Sequence, residues 1–420
     1  MHQPVFASFL QGGFECSTHV RPDGRRLDLV SATKHDQFAT QDFNAVKRYG
    51  MRTVREGLRW HIIERLRDNY DFTSALAIHR AAENTNTEVI WDLLHFGWPD
   101  HQDVFSPAFP ESFGRFAGEF ARILKSESNK TLFLAPVNEI SFLSWGGGEK
   151  GFLNPFARGR GCELKRQLVR SYIAAVEAIG CLTTNVRFVA PEPVIHIASN
   201  PALPEAAVET EHSRRSMFEA WDMICGRLCP ELGGKPGYLD IIGINFYDRN
   251  QWVHFGPTLT RCDPDYRPFR EILKEIHDRY QRPLFVAETG TEDDGRSGWF
   301  NYVANEVVAA MRLGVPMKGL CLYPIVNHPG WNDDRHCRNG LFDYAGDQGY
   351  RSVHKPLARA LLKANVIFQV EFQNLYEQYD SHVYGQARPP LPIPPALEFR
   401  FPAATASYEP VRTGAQGILF

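Results

Sequence analysis

What the sequence lacks narrows its class first. No apolar run reaches the roughly 20 residues that a membrane-spanning helix needs, so a membrane role is not expected. None of the eight cysteines forms a Cys-x-x-Cys pair; the closest two are Cys225 and Cys229, so zinc-type ligand spacing is missing and no metal is expected. Scattered cysteines of this kind read as reduced thiols, with an oxidised Cys225–Cys229 or Cys321–Cys337 pair as the rival. Charge of one sign is also scarce: 46 basic against 49 acidic residues leave a net charge of -3, which offers no electrostatic footprint for nucleic acid. Gly12-Gly13 is not a Gly-x-Gly-x-x-Gly turn, and the glycines at 146–148 lack the Lys-Ser/Thr of a phosphate loop, so no nucleotide cofactor is implied. No repeat has a solenoid period. The first ten residues have neither a basic segment nor a small-residue cleavage site, and a cytoplasmic location is expected.

What is present supports a large core. Hydrophobic residues make up 43% and aromatics 12% of 420 residues, which admits two or three domains or one large barrel. Short apolar runs alternate with longer amphipathic ones. Strands are expected at 5–10, 53–60, 88–95, 131–140, 187–191, 239–247, 284–288 and 319–324. Helical spacing marks 35–49, closed by Gly50, then 110–125 with a stripe of Phe113, Phe116, Phe120 and Leu124. Asp71 or Thr73 caps a helix through 83, and further helices are expected at 163–179, 268–280, 299–313 and 354–362. Eight strands alternating with helices predict one (β/α)8 barrel with enlarged loops over residues 1–376. From 377 the composition changes, and 388–395 is proline-rich; 377–420 reads as a tail, packed on the barrel or disordered.

In such a barrel, side chains at the C-terminal strand ends share one cavity. Those positions carry Glu15, Arg55 with Glu56, His95, Asn138 with Glu139, Glu192, Asn245 with Tyr247, Glu288, and Tyr323 with Asn327 and Trp331. Carboxylates, amides and aromatic rings together suit a carbohydrate, whose hydroxyls need donors and acceptors and whose C–H faces pack on rings. Two carboxyls in different environments can divide the acid and nucleophile roles of glycoside cleavage. Glu139 and Glu288 are the pair, with Arg55 expected to hold Glu288 ionised and Tyr247 to donate to it. Taken singly, Glu139 reads as readily as a cap, Glu288 as a turn residue, Arg55–Glu56 as a structural ion pair and His95 as a core histidine. Their joint placement at strand ends is what favours chemistry.

The strings around these residues resemble glycoside hydrolase family 1, the β-glucosidase-like retaining glycosidases of the large (β/α)8 clan. Val137-Asn138-Glu139-Ile140 is similar to the family's Asn-Glu-Pro, and Ala287-Glu288-Thr289-Gly290 to its Thr-Glu-Asn-Gly. Residues 94–99, Leu-His-Phe-Gly-Trp-Pro, look like Tyr-His-Trp-Asp-x-Pro; Arg55-Glu56-Gly57 looks like Arg-Phe-Ser; residues 243–247 look like Gly-Ile-Asn-Tyr-Tyr; residues 339–343, Asn-Gly-Leu-Phe-Asp, are similar to the stretch after the eighth strand. The likeness spans about residues 5–365. It implies acid/base Glu139, nucleophile Glu288, and sugar-contacting Arg55, His95, Asn138, Asn245 and Tyr247. Departures fall on the sugar grip: Ile140 replaces the proline, Glu15 stands for a first-strand glutamine, Tyr323 for a tryptophan and Gly330 for a glutamate, while Trp331 is kept. No Ser-Lys-Tyr phosphate grip lies between 323 and 335. The reading is therefore a retaining β-glycosidase acting on a carbohydrate or glycoside without a cofactor. Glu15, Tyr323, Asn327 and Trp331 join the substrate-binding set. A transglycosylase with the same residues, or a barrel that binds carbohydrate without turnover, are the alternatives.

Overall fold

The structure, a computed structural model, describes residues 4–384, with side chains to residue 373. Eight strands pair in chain order: β1 (Leu10–Gly13), β2 (Thr53–Gly57), β3 (Glu88–Asp92), β4 (Leu132–Ala135), β5 (Val186–Pro193), β6 (Ile241–Asn245), β7 (Leu284–Glu288) and β8 (Met317–Leu322). All pairs are parallel, and β8 returns to β1 through Leu10–Leu320, Gln11–Cys321 and Gly12–Leu322, which closes the sheet. Around it run α1 (His35–Lys47), α2 (Thr73–Asn84), α3 (Phe109–Glu127), α4 (Gly161–Gly180), α5 (Glu219–Ile224), α6 (Phe269–Tyr280), α7 (Arg296–Arg312) and α8 (Lys355–Tyr384). This is the (β/α)8 barrel that the alternation predicts. No helix among the described residues is long and apolar enough to cross a membrane.

Local chemistry explains the elements. Asp71 accepts the Thr73 N–H at 3.0 Å and so starts α2. Gly50 turns the chain out of α1 with φ +83°, a backbone state that glycine adopts without cost. The phenylalanine stripe of α3 is fully buried, and Trp60 stacks on Phe116 at 4.8 Å. Each fully buried side chain of that size contributes about 1.5–3 kcal/mol of transfer free energy.

Several strand expectations shift, and the second strand ends at Gly57, short of Trp60, which opens a short helix, Trp60–Ile63. Residues 5–9 are not the first strand: the Phe6 ring plugs the lower end of the barrel, 5.0 Å from both Phe133 and Phe285, and pairing starts at Leu10. Ile90, Val189, Ile241 and Ala287 complete this dry floor. Strands β3 and β4 stop at Asp92 and Ala135, short of His95 and Glu139, because the chain there bends into loops that carry the polar residues above the floor. Helix α8 runs far beyond 362, to Tyr384 and past the composition change at 377; the proline-rich stretch 388–395 and the rest of the tail lie outside the described residues. All eight cysteines are unpaired, so neither Cys225–Cys229 nor Cys321–Cys337 is bridged.

Strand β2 alternates faces, so Arg55 points into the bore while Glu56 points out towards α1. Outside, His35 lies between Asp42 at 2.7 Å and Glu56 at 2.9 Å, and Arg351 also binds Asp42. The Arg55–Glu56 ion pair weighed from sequence is thus replaced by separate partners on opposite faces. Burial disfavours a charged imidazole, but Glu56 and Asp42 outweigh it and raise the His35 pKa to about 9. Glu56 itself stays above its usual range because burial exceeds the pull of His35. A histidine whose pKa rises on folding adds stability that is complete below its unfolded value of about 6.5 and vanishes as pH climbs through 9. Thermal melts should therefore show the melting temperature falling between pH 7 and pH 10, and His35→Leu should remove that slope. The same variant is expected to cost about 3–5 kcal/mol at neutral pH, the range for stranding partners of a buried ion pair. A slope unchanged in His35→Leu would refute the assignment.

Candidate active site

Arg55 is the centre of the upper bore, with no solvent exposure. Its Nη1 donates to Glu288 Oε1 at 2.9 Å and to the Ala287 carbonyl at 3.0 Å. Its Nη2 donates to Asp92 and, at 3.1 Å, to Asn138 Oδ1. Because Arg55 fixes the Asn138 oxygen, the Asn138 amide nitrogen faces His95 Nε2 at 3.3 Å. His95 Nδ1–H donates to Asp92 at 3.0 Å on its other side. Four strand ends are thereby locked through side chains and the Ala287 carbonyl.

The two carboxyls sit in unequal surroundings. Glu288, the last residue of β7, also accepts the Tyr247 hydroxyl at 2.9 Å. Glu139 lies beyond β4 in the left-handed region, φ +50° and ψ +58°, and accepts the Asn245 amide at 2.8 Å. Asn245 is itself in register with Glu288, so the residue that donates to Glu139 stands beside Glu288 on the neighbouring strand. Each acid is 4% exposed. Burial, then Glu288, push the Glu139 pKa well above the ordinary range, with Glu192 adding to the rise. Burial raises Glu288 as well, against the opposing pull of Arg55 and His95. The expectation that Arg55 lowers the Glu288 pKa is corrected in this respect: desolvation is the larger influence. A guanidinium and a phenol stabilise the charge on Glu288, whereas Glu139 has one neutral amide, so the rise is the stronger at Glu139. Burial, Glu288 and Glu139 keep the Tyr247 phenol protonated.

The remaining expected residues divide. Glu15 accepts the Ser17 amide at 3.0 Å and lies 3.9 Å from His95 Nε2; burial opposes its charge, but His95, His328 and Ser17 outweigh it and lower its pKa. Tyr323 lies parallel to His95 at 6.0 Å and 5.3 Å from the Arg55 guanidinium. Trp331 is half-buried, edge-on to Phe96 at 5.3 Å. Asn327 does not converge on the pair: it donates to Asp343 at 3.0 Å and accepts the Gly340 amide at 2.8 Å, tying the loop after β8 to the following hairpin.

Asp92, Cys16 and His19 were missed in the sequence. Asp92 was findable, as the acidic end of β3 three residues before His95. His19 was not, because 14–19 is irregular and no period places it. It is fully buried against Trp331 at 5.2 Å, and neither ring nitrogen has a partner. Burial lowers its pKa to about 4, so it is a neutral imidazole able to donate through one nitrogen and accept through the other. Cys16, Asp92 and His95 bring possible metal-ligand atoms within 4.8 Å of one another. They fit a cation poorly: Asp92 already serves Arg55 and His95, and burial pushes the Cys16 thiol up to about 11. Cavities of about 480 and 290 Å³ open elsewhere, one beside Val5 and Lys318 and one beside Arg26 and Trp98; neither is lined by Glu139 or Glu288.

The chain matches no family model and no curated protein sequence. Solved structures do match. The family 1 β-glucosidase from Thermotoga maritima superposes with a TM-score of 0.68 at 14% identity, over 86% of this chain and 98% of that one. The β-glucosidase from Thermotoga maritima in complex with glucoimidazole gives 0.69 at 14% identity, over 87% and 100%. Its complex with noeuromycin gives 0.69 at 14% identity, over 87% and 98%. At this identity the likeness is one of fold: the chain is built as the (β/α)8 barrel of these glycosidases.

Glycine 13 is required by close approach. A Cβ there would stand 2.0 Å from the Tyr323 ring. Gly13→Ala should displace Tyr323 and cost about 1–3 kcal/mol in urea unfolding, as overpacking does; a neutral result would show that the ring has room to move.

Proposed function

We propose that this protein is a retaining β-glycosidase. The observation that carries the reading is a pair of enclosed carboxyls held unequally, Glu288 by the Arg55 guanidinium and the Tyr247 phenol and Glu139 by the neutral amide of Asn245. Glu139 protonates the glycosidic oxygen as the bond to the leaving group breaks. Glu288 attacks the anomeric carbon and forms a glycosyl ester. Glu139, now a carboxylate, takes a proton from water as it displaces the ester, and the starting forms return. Asn138 and Tyr247 lie beside the proposed nucleophile, where sugar hydroxyls on the reacting ring would be held. The fold shared with the Thermotoga maritima β-glucosidases supports this reading. The changed grip at Glu15, Tyr323 and Gly330, together with the unpartnered His19, argues for a terminal sugar other than the one those enzymes' name implies.

A 2-deoxy-2-fluoro β-glycoside should leave a stable adduct on the peptide containing Glu288, read by mass spectrometry; an adduct on Glu192, or none with a substrate that is cleaved, overturns the assignment. Glu139→Gln should lower kcat about 10²–10⁴-fold on substrates with poor leaving groups. The pH profile of kcat/KM should be a bell placed above the usual glutamate value of about 4.3. Activity falls at low pH as Glu288 takes a proton through its raised pKa, and at high pH as Glu139 loses one through its own. An acid limb at or below the usual value would contradict the enclosure of Glu288.

A further inference from the structure

Glu139 holds a left-handed backbone, φ +50° and ψ +58°, that a residue with a Cβ adopts at a cost of about 1 kcal/mol or more. Something must secure it. The N–H of Glu139 donates to the Pro191 carbonyl at 3.0 Å, and the N–H of Ser141 donates to the Glu192 carboxylate at 3.0 Å. Two consecutive residues at the end of β5 thus grip both sides of the turn that presents Glu139. Glu192 is 1% exposed and takes no part in the Arg55 network. In register with Ile244 on β6, it sits under the turn rather than in the mouth of the barrel.

We propose that Glu192 is a positioning residue for Glu139: its carboxylate clamps the 139–141 turn, and its negative charge keeps Glu139 in the acid form. This deepens the glycosidase reading and rests on it. The clamp is geometric, since a carboxylate receiving the Ser141 N–H fixes the entry of the short helix Ile140–Leu143. The charge effect follows because the carboxylate bound to the Ser141 N–H lies two residues along the turn from Glu139, whose own N–H is bound by Pro191 next to Glu192, and Glu192 accordingly raises Glu139. Five groups bear on Glu192: the Ser141 hydroxyl and amide, Lys165 on α4, the Ile140 amide of the turn, and Glu139 itself. Lys165 is also paired with Glu219 at 2.5 Å, which divides its charge. Burial exceeds these donors and leaves the Glu192 pKa at about 7. Ionisation of Glu192 near neutrality therefore strengthens the hold of Glu139 on its proton at the pH where the acid would otherwise start to lose it.

The test uses the full chain with carbon-13 label on the glutamate carboxyls, and Glu139→Gln to assign the Glu139 signal. In the wild type the Glu139 signal should show a second step near pH 7 as its neighbour ionises. In Glu192→Gln, which keeps an oxygen for the Ser141 N–H but loses the charge, the Glu139 midpoint should fall by about half to one pH unit. Glu192→Asp, which keeps the charge, should restore it. On aryl β-glycosides, Glu192→Gln should move the basic limb of kcat/KM down by the same amount. The loss should be about tenfold for poor leaving groups and close to none for dinitrophenolate, which needs no proton. A wild-type Glu139 signal without the second step, or a midpoint unmoved in folded Glu192→Gln, overturns the proposal. If the wild type cleaves none of the glycosides, the glycosidase reading fails, and the titration still decides what Glu192 does.

Discussion

The guanidinium of Arg55 sits in the bore of the barrel with oxygens of Glu288, Ala287, Asp92 and Asn138 around it. A buried cation without partners would cost several kcal/mol, so these oxygens are as necessary to Arg55 as it is to them. The contacts join β2, β3, the loop after β4 and β7. Asp92 then sets His95, Asn138 sets His95 from the other side, and Glu288 receives the guanidinium directly. The unequal surroundings of Glu139 and Glu288 descend from this placement: Glu288 lies against the cation, and Glu139 against a neutral amide.

The site is polar above and dry below. Phe6, Phe133 and Phe285 close the lower end with apolar rings. Outside the barrel, the His35–Asp42–Glu56–Arg351 group anchors the strand that carries Arg55. Side-chain alternation along β2 makes this possible: adjacent residues face a catalytic-type bore and a structural ion network. Low effective dielectric on both faces strengthens the interactions and also raises the cost of losing a partner.

Much of the fold was legible from pattern. The alternation of short apolar runs with amphipathic ones specified eight strands, and the α3 phenylalanines marked a core-facing stripe. Glu288 ends its strand as expected. Errors cluster where local pattern and tertiary use part ways: residues 5–9 alternate like a strand but plug the floor, and His95 and Glu139 extend apolar runs but stand on loops. In the site, residues in recognisable strings were found, whereas His19 and Cys16, in an irregular segment, were not. Asn327 was grouped with the site by its position after β8, although its amide is used by Asp343 and Gly340.

Sequence by itself determined the barrel, the two acids and the arginine, because hydrophobic period and residue type act over short stretches and are written there. Only tertiary structure decided which partners hold each acid, which histidine is left with open nitrogens, and which carboxylate lies under Glu139. Those outcomes depend on burial and on distances between strands far apart in the chain, and a charge in a poorly screened interior responds to its few nearest neighbours rather than to its neighbours in sequence.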